Sequence, residues 1–269
     1  MSIKGIYTAT SGAIAQSDKL DTIANNIANA DTTAFKRDQQ VFKEYLTSAE
    51  KEGEVIQAPV VPASIDSFYP IDGKDKSYVD SVGTFTTFEQ GSVRPTSNPL
   101  ERAIEGDGMW EWVTPNGLRY TRNGSFTLNN QGQLVTKQGF PVLRQGAGMG
   151  PARFIQLGQA QDWNVSQDGD IAIDGEVTGK IAMSTAKDKN VFMKEGNSLY
   201  TLRPTVASPV LPSNTFKVHQ GAIEKSNVNL VNEMTEMIKT SRTFEATQKA
   251  IQAYDQMNAR IANDITRLK

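Results

Sequence analysis

Cysteine is absent from this sequence. Disulfides, thiolate nucleophiles and every cysteine-ligated zinc or iron–sulfur site are therefore excluded. Histidine occurs once, at His219. One imidazole cannot build a His-rich metal centre, and Ser/His hydrolysis would hang on that ring alone. No apolar run approaches the ~20 residues that span a bilayer, so no membrane insertion is expected. Residues 1–10 lack the continuous apolar stretch of a signal peptide. The expectation is a cytoplasmic protein or one exported without a cleaved signal. Charge of one sign is not in excess: 28 Lys and Arg face 30 Asp and Glu, for a net charge of -2. Without a basic stripe, neither a nucleic-acid partner nor a polybasic membrane-surface role is expected.

What is present is a chain of 269 residues, 38% hydrophobic, enough for about two domains. It reads as helix, then strands, then helix. Ile3, Ile6, Thr10, Ala13, Ser17, Leu20, Ala24 and Ile27 recur in alternating steps of three and four, a heptad seam. Polar residues flank it, so the stripe is thin and suits a helix zipped to another helix. Asn25, Asn26 and Asn29 should weaken the helix, because asparagine favours turns and caps over helix interiors. A short amphipathic piece follows, with Phe35, Val41, Phe42, Tyr45 and Leu46. Residues 1–49 are read as an N-terminal helical assembly segment. Residues 50–82, with Pro59, Pro62 and Pro70 and no clean period, are read as a loop or extended arm.

Residues 83–220 switch to a period of two punctuated by turn dipeptides, the pattern of a central antiparallel all-β domain. Trp110–Val113 runs into Pro115-Asn116-Gly117, predicting a hairpin to Leu118–Thr121 with Asn116 and Gly117 at its two central positions. Asn123-Gly124, Asn129–Gly132 and Gln138-Gly139 continue the rhythm as a meander. Further short strands are expected at 154–157, 170–173, 180–183 and 199–202. In residues 221–269 a helical period returns and holds. Leu230, Met237, Phe244, Ile251, Asn258 and Ile265 are seven apart, interleaved with Glu233, Thr240, Thr247, Tyr254, Ile261 and Leu268. The fold class is α+β: long N- and C-terminal helices forming a coiled-coil-like pair, with an antiparallel β domain carried between them.

The residues offer little catalytic chemistry. Gly146, Gly148 and Gly150 lack the strand–helix context of a dinucleotide loop. Asp168-Gly169-Asp170 with Asp174-Gly175 lacks the oxygen ligands and closing Glu of a calcium loop, and reads as hairpin turns. Trp110 and Trp112 share a strand face, and Glu101, Glu105, Asp107 and Glu111 lie nearby. A carbohydrate-binding protein or glycoside hydrolase is therefore one reading, although a buried sheet face explains the tryptophans as well. A coiled-coil adaptor is another. His219, with no Ser/Asp set beside it, reads as structural. No catalytic residue, cofactor, metal or small-molecule substrate is assigned; the residues read as a structural or interaction protein.

Three blocks carry a resemblance. Leu20–Arg37 contains Ala24-Asn25-Asn26-Ile27-Ala28-Asn29, followed by Thr33-Ala34-Phe35-Lys36. This resembles the N-terminal signature of flagellar basal-body rod and hook proteins, with Ile27 for the usual Leu and Ala34 for the usual Gly. Asn98–Gly108 with Tyr120–Phe126 is similar to that family's central β signature. Gln220–Asn229 with Glu233–Ile238 is similar to its C-terminal block. The resemblance implies a non-enzymatic axial component of the bacterial flagellum, polymerising through its terminal helices. It implies partners among rod subunits, including copies of itself, and export by the flagellar type III machinery. It places the chain in the rod of the basal body, which spans the periplasm. Arg242-Thr243-Phe244-Glu245 is closer to the proximal-rod branch than to the distal-rod branch, and Ile6-Tyr7-Thr8-Ala9 leans the same way; a distal-rod or hook-type axial protein is the alternative. The expected assembly residues are Ile6, Leu20, Asn25, Asn26, Ile27, Asn29, Phe35, Leu230, Met237, Phe244, Ile251, Tyr254, Ile261 and Ile265.

Overall fold

The computed structural model describes residues 3–47, 76–146, 148, 150–158, 163–204, 210–213 and 215–267. The chain divides into two compact units, residues 1–23 with 40–84 and 235–269, and residues 24–39 with 85–234.

Among the described residues, the first unit holds two helices and a two-stranded sheet: most of α1 (Ile3–Ala28), β1 (Asp38–Thr47) paired with β2 (Lys76–Thr86), and most of α2 (Leu230–Arg267). α1 runs through Asn25 and Asn26 and stops at Ala28: the Asn29 N–H still donates to the Asn25 carbonyl at 3.2 Å, and the Asn29 side-chain amide donates to the same carbonyl at 2.9 Å. α2 starts at Asn229, whose Oδ1 accepts from Val231 N at 3.1 Å and Asn232 N at 3.2 Å, a side-chain N-cap. The helices run antiparallel within this unit. Gly5 lies against the Tyr254 ring, and Lys19 Nζ sits 3.5 Å from Glu236 Oε2. Ser11 Oγ accepts from Val79 N of β2 at 3.4 Å.

Two sequence expectations differ here. The amphipathic piece around Val41 and Phe42 is strand, not a continuation of the helical segment. Its β-branched and aromatic residues suit a pleated surface, and pairing with β2 decides the matter. Of the expected arm 50–82, residues 50–75 lie outside the described residues, and 76–82 belong to β2.

Among the described residues, the second unit carries fifteen short strands: β3 (Val93–Pro95), β4 (Arg102–Gly106), β5 (Met109–Thr114), β6 (Gly117–Thr121), β7 (Phe126–Leu128), β8 (Leu134–Thr136), β9 (Trp163–Val165), β10 (Asp170–Ile173), β11 (Glu176–Lys180), β12 (Met183–Ala186), β13 (Phe192–Gly196), β14 (Leu199–Leu202), β15 (Val210–Pro212), β16 (Phe216–Gln220) and β17 (Ala222–Glu224). β13-β14-β6-β5-β12-β15 form a six-stranded sheet and β11-β10-β9 a three-stranded one; β16 pairs with β4, β17 with β3 and β7 with β8. The class is α+β with an antiparallel centre, as expected. The order is not a simple meander, because β6 lies between β5 and β14 from far downstream. One core gathers Ile104, Trp110, Trp112, Phe126, Leu134, Val142 and Ile171; a second gathers Met109, Tyr120, Val191, Phe192 and Tyr200.

The β5–β6 hairpin exists, but its turn is shifted by one residue. Thr114 pairs with Gly117, so the two-residue loop is Pro115-Asn116. The Pro115 ring holds φ near -65° at the first loop position, which a mirror-image turn forbids. The positive φ falls instead on Gly117, at +101°. Mirror-type turns occur elsewhere: Asp174-Gly175 (φ +49° and +86°) joins β10 to β11, and Asn197-Ser198 (φ +51° and +58°) joins β13 to β14.

Candidate functional site

Within the second unit, the segment 24–39 is held to the β strands by a buried charge cluster. Asn29–Ala34 turns the chain, and Ala34 takes φ +56° while 1% exposed; its N–H donates to the Glu224 carbonyl at 2.9 Å. This turn aims Lys36 inward. Lys36 Nζ donates to Glu224 Oε1 at 2.5 Å and to the Glu89 carbonyl at 2.6 Å, with no part of either side chain exposed. Gly91 N also donates to Glu224 Oε1 at 3.0 Å. A Cβ at Gly91 would fall 2.0 Å from the Lys225 carbonyl oxygen, so only glycine admits this approach. Arg122 Nε stands 3.8 Å from Glu224 Oε2, and Arg122 Nη2 donates to the Gly106 carbonyl at 2.7 Å. Burial pulls the Lys36 ammonium pKa below its ordinary value; the Glu224 carboxylate pulls the other way and offsets part of that. Lys36, Arg122 and Glu224 come from three separate sequence blocks and meet at one point.

A second polar layer surrounds the helix ends in the same unit. Asn26 Nδ2 donates to the Asp38 carbonyl at 2.9 Å, and its Oδ1 accepts from Asp38 N at 3.0 Å. The same amide reaches Glu233 Oε2 of α2 at 3.3 Å, and Arg37 Nη1 donates to Glu233 Oε1 at 3.1 Å. Asn227 Oδ1 accepts from Arg37 N at 2.7 Å, and its Nδ2 donates to the Thr87 carbonyl at 2.8 Å. Lys194 Nζ sits 3.9 Å from the Phe35 ring centroid and donates to the Lys36 carbonyl at 2.6 Å and Asp38 Oδ2 at 2.7 Å. Burial lowers its pKa as well. Such a fully bonded network admits one geometry, so it fixes how residues 24–39 meet the start of α2.

The residues expected at an assembly surface fall into three groups. Asn26 and Phe35 are buried, and their contacts are within the chain. Ile6, Leu20, Ile27, Asn29, Met237, Phe244 and Ile251 are half-buried, whereas Asn25, Leu230, Tyr254 and Ile261 are exposed. The side chain of Ile265 lies outside the described residues. Sequence reasoning passed over Lys36, Glu224, Glu233 and Lys194. Lys36, Glu224 and Glu233 sit inside the quoted signature blocks, and that was their signal. Lys194 had none, because its partners are distant in sequence.

The carbohydrate reading is corrected by the packing. Trp110 is 0% and Trp112 2% exposed, stacked edge-on to Phe126 at 5.5 and 6.4 Å between ring centroids, so neither offers a platform for a sugar. Glu111 is taken by Arg153 Nη2 at 2.7 Å and by the Ser184 hydroxyl. His219 Nε2 pairs with Glu105 Oε2 at 2.6 Å across β16 and β4 on the surface. Among the described residues, no three acidic or imidazole side chains group to hold a metal ion, and no helix is long and apolar enough to cross a membrane.

Comparison with known proteins points the same way. Family models match three stretches: Flagella basal body rod protein over residues 6–36, Flagellar hook protein FlgE/F/G D1 domain over 103–173, and Flagellar basal body rod FlgEFG protein C-terminal over 219–265. The chain is 30% identical to the flagellar basal-body rod protein FlgG of Borreliella burgdorferi, over 98% of this chain and 99% of that protein. It is 32% identical to the flagellar hook-basal body complex protein FlhO of Bacillus subtilis, over 99% and 100%. It is also 32% identical to the flagellar basal-body rod protein FlgF of Caulobacter vibrioides, over 91% and 90%.

Proposed function

This chain belongs to the flagellar basal-body rod protein family, and on that premise we propose that it is a proximal, FlgF-type subunit that polymerises through its terminal helices. The role is structural, not enzymatic, and the place is the basal body, among other rod subunits. The observation that carries the polymerisation reading is the helix pair. α1 and α2 run antiparallel, with contacts at Gly5–Tyr254 and Lys19–Glu236, yet Ile238 and Ile261 stay open to solvent. A helix pair that buries one stripe per helix leaves apolar surface for neighbours. The proximal assignment is supported by Arg242-Thr243-Phe244-Glu245. The distal-rod alternative keeps support from the FlgG relative, which aligns over more of the chain. Passage through the flagellar export machinery without a cleaved signal, into a periplasm-spanning rod, completes the reading.

The test is electron microscopy of a strain lacking the gene, complemented with the natural chain or with Phe244→Asp. Absent rods and hooks in the deletion, restored only by the natural chain, support the reading. Normal swimming of the deletion strain would overturn it. Full restoration by Phe244→Asp would remove the helix seam from the mechanism.

A further inference from the structure

We propose that a small pocket against Arg122 binds one monatomic anion, chloride in ordinary salt, and that this ion balances the charge of the buried Lys36–Arg122–Glu224 cluster. It holds or fails independently of the rod-subunit reading. The cluster is short of negative charge. The Lys36 and Glu224 side chains are 0% exposed and that of Arg122 is 5% exposed, so two cations share one carboxylate away from water. An uncompensated charge in that setting is costly, and a counter-ion relieves it. Burial is the main cause that lowers the Lys36 pKa, Glu224 opposes it, and Arg122 and Lys189 lower it further, which sets the three cations within electrostatic reach of one another. The Arg122 guanidinium is also only partly bonded. Nη2 donates to the Gly106 carbonyl at 2.7 Å and Nε stands 3.8 Å from Glu224 Oε2, whereas Nη1 is buried with no hydrogen-bond partner among the described residues. A buried cationic N–H of this kind calls for an acceptor.

The pocket lies where the loops after β4 and β6 meet the turn before β13. Its volume is about 10 Å³; Arg122, Lys189 and Asp107 stand among its polar walls, and Met109 and Phe192, 5 and 4% exposed, among its apolar ones. That space admits one water-sized occupant and is too small for phosphate, sulfate or a carboxylate group. Glu224 is not among the lining residues, so an occupant meets the Arg122 cation without meeting the carboxylate that Arg122 already faces.

The remaining polar groups at the wall are already engaged. The Ser184 hydroxyl is given to Glu111, and Asp107 Oδ1 takes Lys189 Nζ at 2.7 Å. The Lys189 and Asp107 side chains are 42 and 54% exposed, so water and salt screen both of them. Arg122, walled off by apolar side chains, is the least screened charge at the pocket, and it makes the potential there positive. A single water could accept the Nη1 proton but would leave the net charge of the cluster in place. A halide accepts the same hydrogen bond and removes that charge.

The test is a set of thermal melts of the full chain at constant ionic strength, with sodium chloride replacing sodium gluconate, whose anion is too large for the pocket. The midpoint should rise with chloride and level off, as it does when a ligand binds the folded state alone. Two substitutions at half-exposed side chains should move the half-saturating concentration in opposite directions. Lys189→Gln removes an attracting charge and should raise it about threefold; Asp107→Asn removes a repelling one and should lower it about threefold, the scale of one solvent-screened charge. Both variants lose the Asp107–Lys189 pair, so a merely structural effect shifts them alike, and like shifts overturn the site. Crystals grown in sodium bromide should show an anomalous peak within hydrogen-bond reach of Arg122 Nη1. Identical melts in chloride and gluconate, or bromide-grown crystals without that peak, would leave a water there instead of an ion and overturn the proposal.

Discussion

Lys36 Nζ lies 2.5 Å from Glu224 Oε1, with both side chains wholly excluded from solvent. The pair ties the turn after α1 to the last strand before α2. Removing charges from water costs several kcal/mol each, so the pair is held by its geometry and its further bonds to the Glu89 carbonyl and Gly91 N–H.

The two partners are not equivalent, and mutation should show it. Glu224→Gln leaves both Lys36 and Arg122 without a counter-charge and should cost about 3–5 kcal/mol. Lys36→Met leaves Glu224 facing Arg122 at 3.8 Å and should cost less. The double variant Lys36→Met/Glu224→Leu should be more stable than Glu224→Gln alone. Urea unfolding of the full chain measures all three. Equal losses for the two single variants would refute the asymmetry.

At Ala34 two effects oppose each other. Its left-handed backbone costs an alanine ~1–2 kcal/mol, and glycine relieves that. Losing the buried methyl costs ~0.8 kcal/mol. Ala34→Gly should therefore gain a few tenths of a kcal/mol up to about 1, whereas Ala34→Val should lose well over 1. A melting temperature that falls for Ala34→Gly would show that the methyl packing wins.

Gly117 tests the shifted turn. Nothing but the Arg119 guanidinium, at 3.8 Å, approaches a Cβ built there, so the penalty comes from φ alone. Gly117→Val should destabilise by about 1 kcal/mol or more, because a β-branched residue is strained at positive φ. Asn116→Asp, at the second loop position with ordinary φ, should be near neutral. Thermal melts of the two variants decide this.

Alkaline stability should depend on Tyr120. Burial is the main cause that raises its phenol pKa to about 12 from 10; Glu111 adds to it and Arg153 opposes it. The unfolded chain loses this proton near pH 10 and the folded chain keeps it to about 12. Its contribution to stability is full below pH 10 and is lost between about 10 and 12, at up to ~1.4 kcal/mol per pH unit. Tyr200 is pushed the same way, mainly by burial. Tyr120→Phe should flatten the fall of stability with pH across that window without abolishing it. An unchanged slope would mean the phenol is not the titrating group.

The two terminal helices were legible because they obey local rules. The three-four spacing from Ile3 to Ile27 and the seven-residue recurrence from Leu230 onward need only a helix to mean something, and Asn29 and Asn229 mark the ends by local hydrogen bonds. The absence of cysteine and the single His219 likewise excluded chemistry without any fold. Where a segment had two local solutions, tertiary pairing decided. Val41 and Phe42 fit a helix stripe or a strand equally well, and β2 made them strand. Asn116-Gly117 looked like the turn centre, but the ring of Pro115 moved the positive φ to Gly117.

The family blocks were visible in the sequence; the reason they belong together was not. Lys36, Arg122 and Glu224 are far apart along the chain, and no period or spacing links them. Only folding removes the water that would otherwise solvate each charge separately, and so makes them depend on one another. In the same way the sequence by itself determined that Met234 and Met257 lie on one helix. The tertiary structure decided which side chains of that helix lose their water: Glu233 and Thr240 are buried whereas Met234 and Met257 stay partly exposed, because burial depends on what packs against each face and not on spacing along the helix.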